Sequence, residues 1–214
     1  MQFPHEKLMV YQKALEFFGD TQRFVSSWSK QHAFVDHLAR AMESILFNLV
    51  EAVRVGQSKK KLLTMDYAVG SSFECAACMD IAVLKGLLDS AAAVEKKTQL
   101  LELCKMLIGL RNSWKTPRVA EDSVPYASAQ NSDARGMAFH HENLDMYNVS
   151  LDFYRWFVAT EAGRGLNSAF EKSCDTLATR MVLNVAEGNG RYAELLRQSY
   201  LAESDQIWLC QAGY

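Results

Sequence analysis

Proline placement constrains this chain more than any other feature. The three prolines stand at Pro4, Pro117 and Pro125, so 112 residues separate the first two and none occurs in the last 89. A proline inside a helix removes a backbone hydrogen bond and collides with the preceding turn. Its absence over such stretches leaves room for long unbroken helices and disfavours collagen-like, Pro-rich disordered and short-stranded β folds.

Apolar spacing fills those stretches. Leu8, Tyr11, Leu15, Phe18 and Val25 recur at helical intervals and predict a first helix with that face in the core. A second helix is predicted from about Ala33 to Val55 through Leu38, Ala41, Ile45, Leu49 and Ala52, ended by Gly56. A third runs from about Ser58 to Asp89 with Gly70 inside it, and a fourth from about Ala92 to Trp114, stopped by Pro117. Four antiparallel helices with short connections make a bundle.

The same pattern then starts again. Sliding the chain by 136 residues lays Phe3 to Phe18 on Phe139 to Tyr154 with seven of sixteen pairs identical. The same offset sets Asn48, Leu49, Val50 and Glu51 on Asn184, Val185, Ala186 and Glu187. The recurrence reads as a tandem duplication. Three helices are predicted in the second copy, about His141 to Thr160, Asn167 to Glu187 and Tyr192 to Ala212, with Gly188-Asn189-Gly190 as an interhelical turn. A fourth is missing, which would leave an apolar groove for another helix, from a second chain or from the first copy. The stretch from Pro117 onward is rich in small and polar residues. The expected architecture is therefore two tandem antiparallel bundles: residues 1–117 with four helices, a linker at 118–138, and residues 139–214 with about three.

Charge divides along the same seam. Residues 1–120 hold 16 Lys+Arg against 12 Asp+Glu and residues 121–214 hold 7 against 13, so a near-neutral chain consists of a +4 and a −6 half. Opposite-signed halves favour head-to-tail association. No secretory leader and no segment approaching about 18 apolar residues is read at this level. The five cysteines are odd in number and lie in apolar helical contexts. A cytoplasmic protein with reduced core thiols, and no membrane, follows.

The opening run Leu8-Met9-Val10-Tyr11-Gln12-Lys13-Ala14-Leu15 and the later Asn184-Val185-Ala186-Glu187-Gly188-Asn189-Gly190-Arg191 together give a family likeness. Each copy resembles the small four-helix bundle proteins encoded in intervening sequences of bacterial 23S ribosomal RNA genes. Gly70-Ser71-Ser72-Phe73-Glu74 is similar to a further stretch of that family. A related protein is the accessory variability protein of diversity-generating retroelements, a basic pentamer. That resemblance implies an accessory role, with a reverse transcriptase and its RNA or DNA as partners and a homo-oligomeric state.

Phosphate contact requires clustered basic residues. Lys59, Lys60 and Lys61 at the start of the third helix, with Arg111, Lys115 and Arg118 near the end of the fourth, are the candidates; a charge run of this kind is more often a solvated face. Asn48 with Glu51, and Asn184 with Glu187, share a helix face at a spacing of three. They make either a polar binding site or, as favoured here, a structural pair that bonds neighbouring helix ends together with Gly188, Gly190 and Arg191. Cys75 and Cys78 have the spacing of half a zinc site but no matching second pair, so core packing is expected. His5-Glu6 and His141-Glu142 lack the second histidine of a zinc-protease motif and are read as helix openers. No phosphate loop, nucleophile elbow or paired-carboxylate constellation is present. The chain is expected to be non-enzymatic, without cofactor or metal: either an accessory module for reverse transcriptase and nucleic acid, or a protein-interaction and self-assembly module.

Overall fold

The protein is represented by a computed structural model that describes residues 2–56, 59–114, 139–160 and 168–190. These residues form α1 (Met9–Val25), α2 (Ala33–Arg54), α3 (Lys59–Leu84), α4 (Ser90–Ser113), α5 (Asp145–Ala159) and α6 (Ala169–Gly190). Short 3-10 turns, Pro4–Lys7 and His140–Asn143, immediately precede α1 and α5. No strand occurs among the described residues, and the class is all-α. The linker 118–138 and the third helix predicted after Tyr192 lie outside the described residues.

Helix directions follow from side-chain pairs. Cys78 Sγ lies 3.8 Å from the Phe34 carbonyl oxygen, and Ser71 Oγ lies 2.7 Å from Ser44 Oγ, so α3 returns antiparallel along α2. Lys97 meets Asp80 and Arg111 meets Asp66, which runs α4 antiparallel to α3. Lys13 pairs with Glu102 and Asp20 with Lys96, closing α4 against α1. These four helices are a bundle. The 136-residue offset is also kept in three dimensions: it carries the starts of the first turn, α1 and α2 onto those of the second turn, α5 and α6, and α2 and α6 both have 22 residues.

The centre of the molecule is α3, which packs against α2, α4, α5 and α6. Consecutive residues from Ala68 to Phe73 are buried, which is possible only when a helix is covered on every side. Small side chains at Ala68, Gly70, Ser71, Ser72, Ala76 and Ala77 allow neighbours to approach closely. By length and composition α3 is apolar enough to cross a membrane, contrary to the sequence expectation that no segment comes near this; most of it is buried inside the bundle. One continuous core joins Val10, Phe34 and Leu100 to Tyr147 and Val182, so helices on both sides of the linker bury side chains together. Among the described residues, α5 and α6 both pack against α3.

Four sequence expectations need correction. The buried stripe of α1 is Val10, Ala14, Phe17, Thr21 and Val25; Leu15 is 45% exposed and Leu8, Tyr11 and Phe18 are half-buried. Adjacent apolar residues such as Phe17 and Phe18 support two stripes, and packing against α2 and α4 selected one. The third helix stops at Leu84, not Asp89. Gly86, at φ +67°, adopts the left-handed conformation, and the Leu87 N–H donates to the Ala82 carbonyl (2.9 Å) while that of Gly86 donates to Val83 (2.9 Å), a Schellman termination. Asp89 instead caps α4 by accepting from the Ala92 N–H at 2.9 Å. His141-Glu142 occupies a 3-10 turn before α5, and Gly188-Asn189-Gly190 continues α6 in place of forming a turn.

Candidate interaction site

The described basic candidates, Lys59, Lys60, Lys61 and Arg111, lie at one end of the bundle, where α2 ends, α3 begins and α4 ends, and three of them have partners there. Arg111 is buried, and its guanidinium pairs with Asp66 through two hydrogen bonds, one of 2.9 Å. Glu51 accepts from Arg54 at 2.7 and 2.8 Å and faces Lys60 at 3.5 Å, and these contacts hold its carboxyl below the usual range. Lys61 Nζ lies 3.8 Å from the Trp114 ring centroid, a cation–π contact, and burial lowers its pKa. Lys59 is exposed, and Lys115 and Arg118 lie outside the described residues.

The Asn and Glu pairs differ between the two segments. Asn48 Nδ2 donates to the Ser44 carbonyl (2.8 Å) and Ser44 Oγ (2.9 Å), and that hydroxyl meets Ser71 of α3, so Asn48 braces the α2–α3 contact through its own helix. Asn184 Nδ2 is buried with no hydrogen-bond partner among the described residues. Glu187 is half-buried and Gly188 buried within α6, while Arg191 lies outside the described residues.

Two polar nodes, the first half-buried and the second fully buried, were not legible in the sequence. In the first, Asp80 accepts from Tyr147 Oη at 2.7 Å and from Lys97 Nζ at 2.8 Å, and Lys97 also contacts Glu142. Burial opposes the Lys97 charge, but Asp80 and Glu142 outweigh it and raise its pKa; burial and then Asp80 push the Tyr147 hydroxyl well up. Ligand atoms of Asp80, His141 and Glu142 lie within 4.8 Å of one another, a spacing suited to a metal ion. The ammonium of Lys97 already bridges the two carboxylates, so the node carries its own cation. In the second node, fully buried Asp175 accepts from the Ala33 N–H (3.0 Å) and Tyr154 Oη (2.8 Å) and pairs with Lys85 at 2.8 Å. It thereby ties α6 to the first turn of α2, to α5 and to the end of α3. The sequence signal for the first node was the repeated His-Glu and Tyr. Asp175 offered none, because its counterpart at the 136 offset is Ala39.

The repeated aromatic module presents a contrast. Phe3 stacks near His5 (5.8 Å) and His5 meets Tyr11 edge-on (4.8 Å); Phe139, His141 and Tyr147 repeat this at 5.7 and 4.5 Å. Gln12 and Asn148 each donate to the carbonyl of the preceding Glu, Glu6 or Glu142, at 3.2 Å. The local structure is similar, with Phe3 stacked on His5 (10° between planes) and Phe139 tilted to His141 (38°), yet Phe139 is 2% exposed, seated on Phe73 of α3 at 5.0 Å, and Phe3 is 68% exposed. Leu8 and Met9 at the start of α1 and Met106 and Leu110 of α4 line an open apolar groove of about 310 Å³. Trp156 and Phe170, at the adjoining ends of α5 and α6, are 64% and 76% exposed.

Cys75, Cys78 and Cys104 are buried, and Cys174 is half-buried. Burial raises the thiols of Cys75 and Cys78 well above their ordinary range and that of Cys104 to about 12, so all three are protonated at neutral pH.

These features define a helical-bundle protein with exposed apolar surfaces and internally neutralised polar clusters. Residues 6–109, the span of α1 to most of α4, match the family described as 23S rRNA-intervening sequence protein. No curated protein and no solved structure matches the chain.

Proposed function

We propose that this chain is a non-catalytic helical module for protein interaction and self-assembly, acting in the cytoplasm. The observation that carries this reading is the pairing pattern of its surface. Among the described basic candidates, Arg111, Lys60 and Lys61 are engaged by Asp66, Glu51 and Trp114, whereas Phe3, Met9, Phe47, Trp156 and Phe170 are each more than 60% exposed. Exposed apolar surface marks an interaction site where it is contiguous, as in the open groove lined by Leu8, Met9, Met106 and Leu110. The free thiols of Cys75, Cys78, Cys104 and Cys174 support a reducing compartment. The 136-residue recurrence, in sequence and in element starts, supports an origin by tandem duplication. Sedimentation velocity across a concentration series tests the reading: association is expected, and a chain that stays monomeric at about 100 μM, a range in which even weak specific contacts of micromolar Kd are populated, overturns it.

A second reading is an accessory protein that binds RNA or DNA, and through it a reverse transcriptase. It is supported by exposed Lys59 beside Lys60, by the wording of the matched family and by the likeness to the retroelement accessory protein. Binding to structured RNA that weakens linearly in log K against log salt, and weakens further in Lys59→Glu, is its expected outcome. Absence of salt-dependent binding removes this reading and leaves the first.

A further inference from the structure

We propose that Asp80, His141 and Glu142 form a binding site for one divalent transition-metal ion of the Zn2+ class, with the Lys97 ammonium as the resident cation that the metal displaces. Two distant elements deliver the ligands: Asp80 comes from α3, and His141 and Glu142 from the turn that precedes α5. Their ligand atoms lie within 4.8 Å of one another. A Zn2+ ion about 2.1 Å from each ligand in tetrahedral geometry spaces them about 3.4 Å apart, so a movement of about 1.4 Å or less per pair closes the set. Two of the three ligands are held in place by their surroundings. The His141 ring is fully buried and packed against Phe73 (5.4 Å), Phe139 (5.7 Å) and Tyr147 (4.5 Å). Tyr147 Oη donates to Asp80 Oδ2 at 2.7 Å, while Oδ1 accepts from Lys97 at 2.8 Å. A carboxylate fixed by such a hydrogen bond presents its other oxygen at a defined angle, as the outer support of a metal site does.

Charge and ligand type select the occupant. The carboxylates of Asp80 and Glu142 both pair with the single ammonium of Lys97 among the described residues. One negative charge is thus left over in the node, whereas a divalent ion matches both. An ammonium binds through its N–H donors alone, and a metal ion also takes the imidazole nitrogen as a ligand. One nitrogen with two carboxylates suits Zn2+, Co2+ or Ni2+, while Ca2+ and Mg2+ take oxygen ligands. The site is reachable, because the side chains of Lys97, Asp80 and Glu142 are 20–21% exposed, and the flexible stem of a lysine lets its ammonium swing into water. The first segment shows what the site requires beyond a His-Glu pair. There Glu6, beside His5, accepts from the Phe3 N–H at 2.7 Å and closes a capping box. In the second segment the equivalent Glu142 meets Lys97 and lies beside Asp80, so α3 and α4 convert a local turn into a ligand set. A metal bound there joins α3 to the turn before α5 and clamps the two segments together.

The test titrates Co2+, a coloured stand-in for Zn2+, into the full chain and into Lys97→Met, Glu142→Gln and the variant carrying both. The wild-type chain is expected to bind one Co2+ with a visible absorption band, and Zn2+ is expected to displace it and to raise the thermal midpoint. Lys97→Met, which leaves both carboxylates to the metal, is expected to bind at least about tenfold more tightly, and Glu142→Gln, which removes a ligand at nearly constant shape, at least about tenfold more weakly. Where Lys97→Met is destabilised without metal, Zn2+ is expected to restore its midpoint but not that of the double variant. Absence of binding by the wild-type chain at about 1 mM metal, an affinity weaker than about −4 kcal/mol, overturns the site. Binding by Lys97→Met alone overturns it equally, because Lys97 is then a permanent counter-ion. Binding that Glu142→Gln leaves unchanged assigns the metal to other histidines of the chain and also overturns the site. None of these outcomes bears on the self-assembly reading, which sedimentation of the metal-free chain tests separately.

Discussion

Arg111 shows how one side chain changes meaning with its surroundings. In the sequence it is one of several cations near the end of a helix; in the structure both it and Asp66 are more than 90% buried and joined by two hydrogen bonds. Removing one partner of such a pair leaves a buried charge uncompensated, which costs about 3 kcal/mol. Arg111→Met is therefore expected to lower urea stability by about that amount while leaving any RNA affinity unchanged, and a variant of unaltered stability would show that the pair contributes little. His32 supplies the pH prediction. Burial, reinforced by Lys85 and partly offset by Asp175, holds its pKa below 6.5 in the folded state. The unfolded chain then binds the proton more readily, so this contribution to stability is present above pH 6.5 and is lost as pH falls through the lower folded value. The thermal midpoint is expected to drop on acidification below pH 6.5, with a shallower drop in His32→Gln.

At the scale of elements, helices were readable from periodicity because their cores are strongly apolar. Leu38, Ala41, Ile45, Leu49 and Ala52 are all buried as their spacing requires. Boundaries and rotations were less readable. The α3–α4 connection depends on Gly86 and Asp89, and the sequence reading ran the helix through both. Gly86→Ala places a side chain at φ +67°, and Asp89→Ala removes the cap of α4; each is expected to cost about 1 kcal/mol in denaturant unfolding. Gly188 misled in the opposite direction. Glycine commonly ends helices, but it is tolerated inside one at about 1 kcal/mol against alanine when packing favours it, and Gly188 is buried within α6.

For the whole molecule, the joining of the two segments is the decisive event. Tyr147 of α5 reaches Asp80 of α3, which also binds Lys97 of α4, so this hydroxyl links the second segment to the first. Tyr147→Phe is expected to destabilise by about 1 kcal/mol, the net worth of one lost hydrogen bond to a carboxylate that keeps Lys97, and to raise hydrogen exchange in α5 more than in α1. Equal exchange in the two helices would show that the hydroxyl is not what holds α5 in place. By itself the sequence determined the all-α class, the four-helix order of the first segment and the 136-residue recurrence, because proline placement and apolar period act locally along one chain. Only the tertiary structure decided that α3 is shared between the segments, that Arg111 and Lys97 are internal counter-ions, and that one aromatic module is buried while its twin is open. Each of these depends on which distant residues share a surface, and burial and charge pairing are properties of that shared surface.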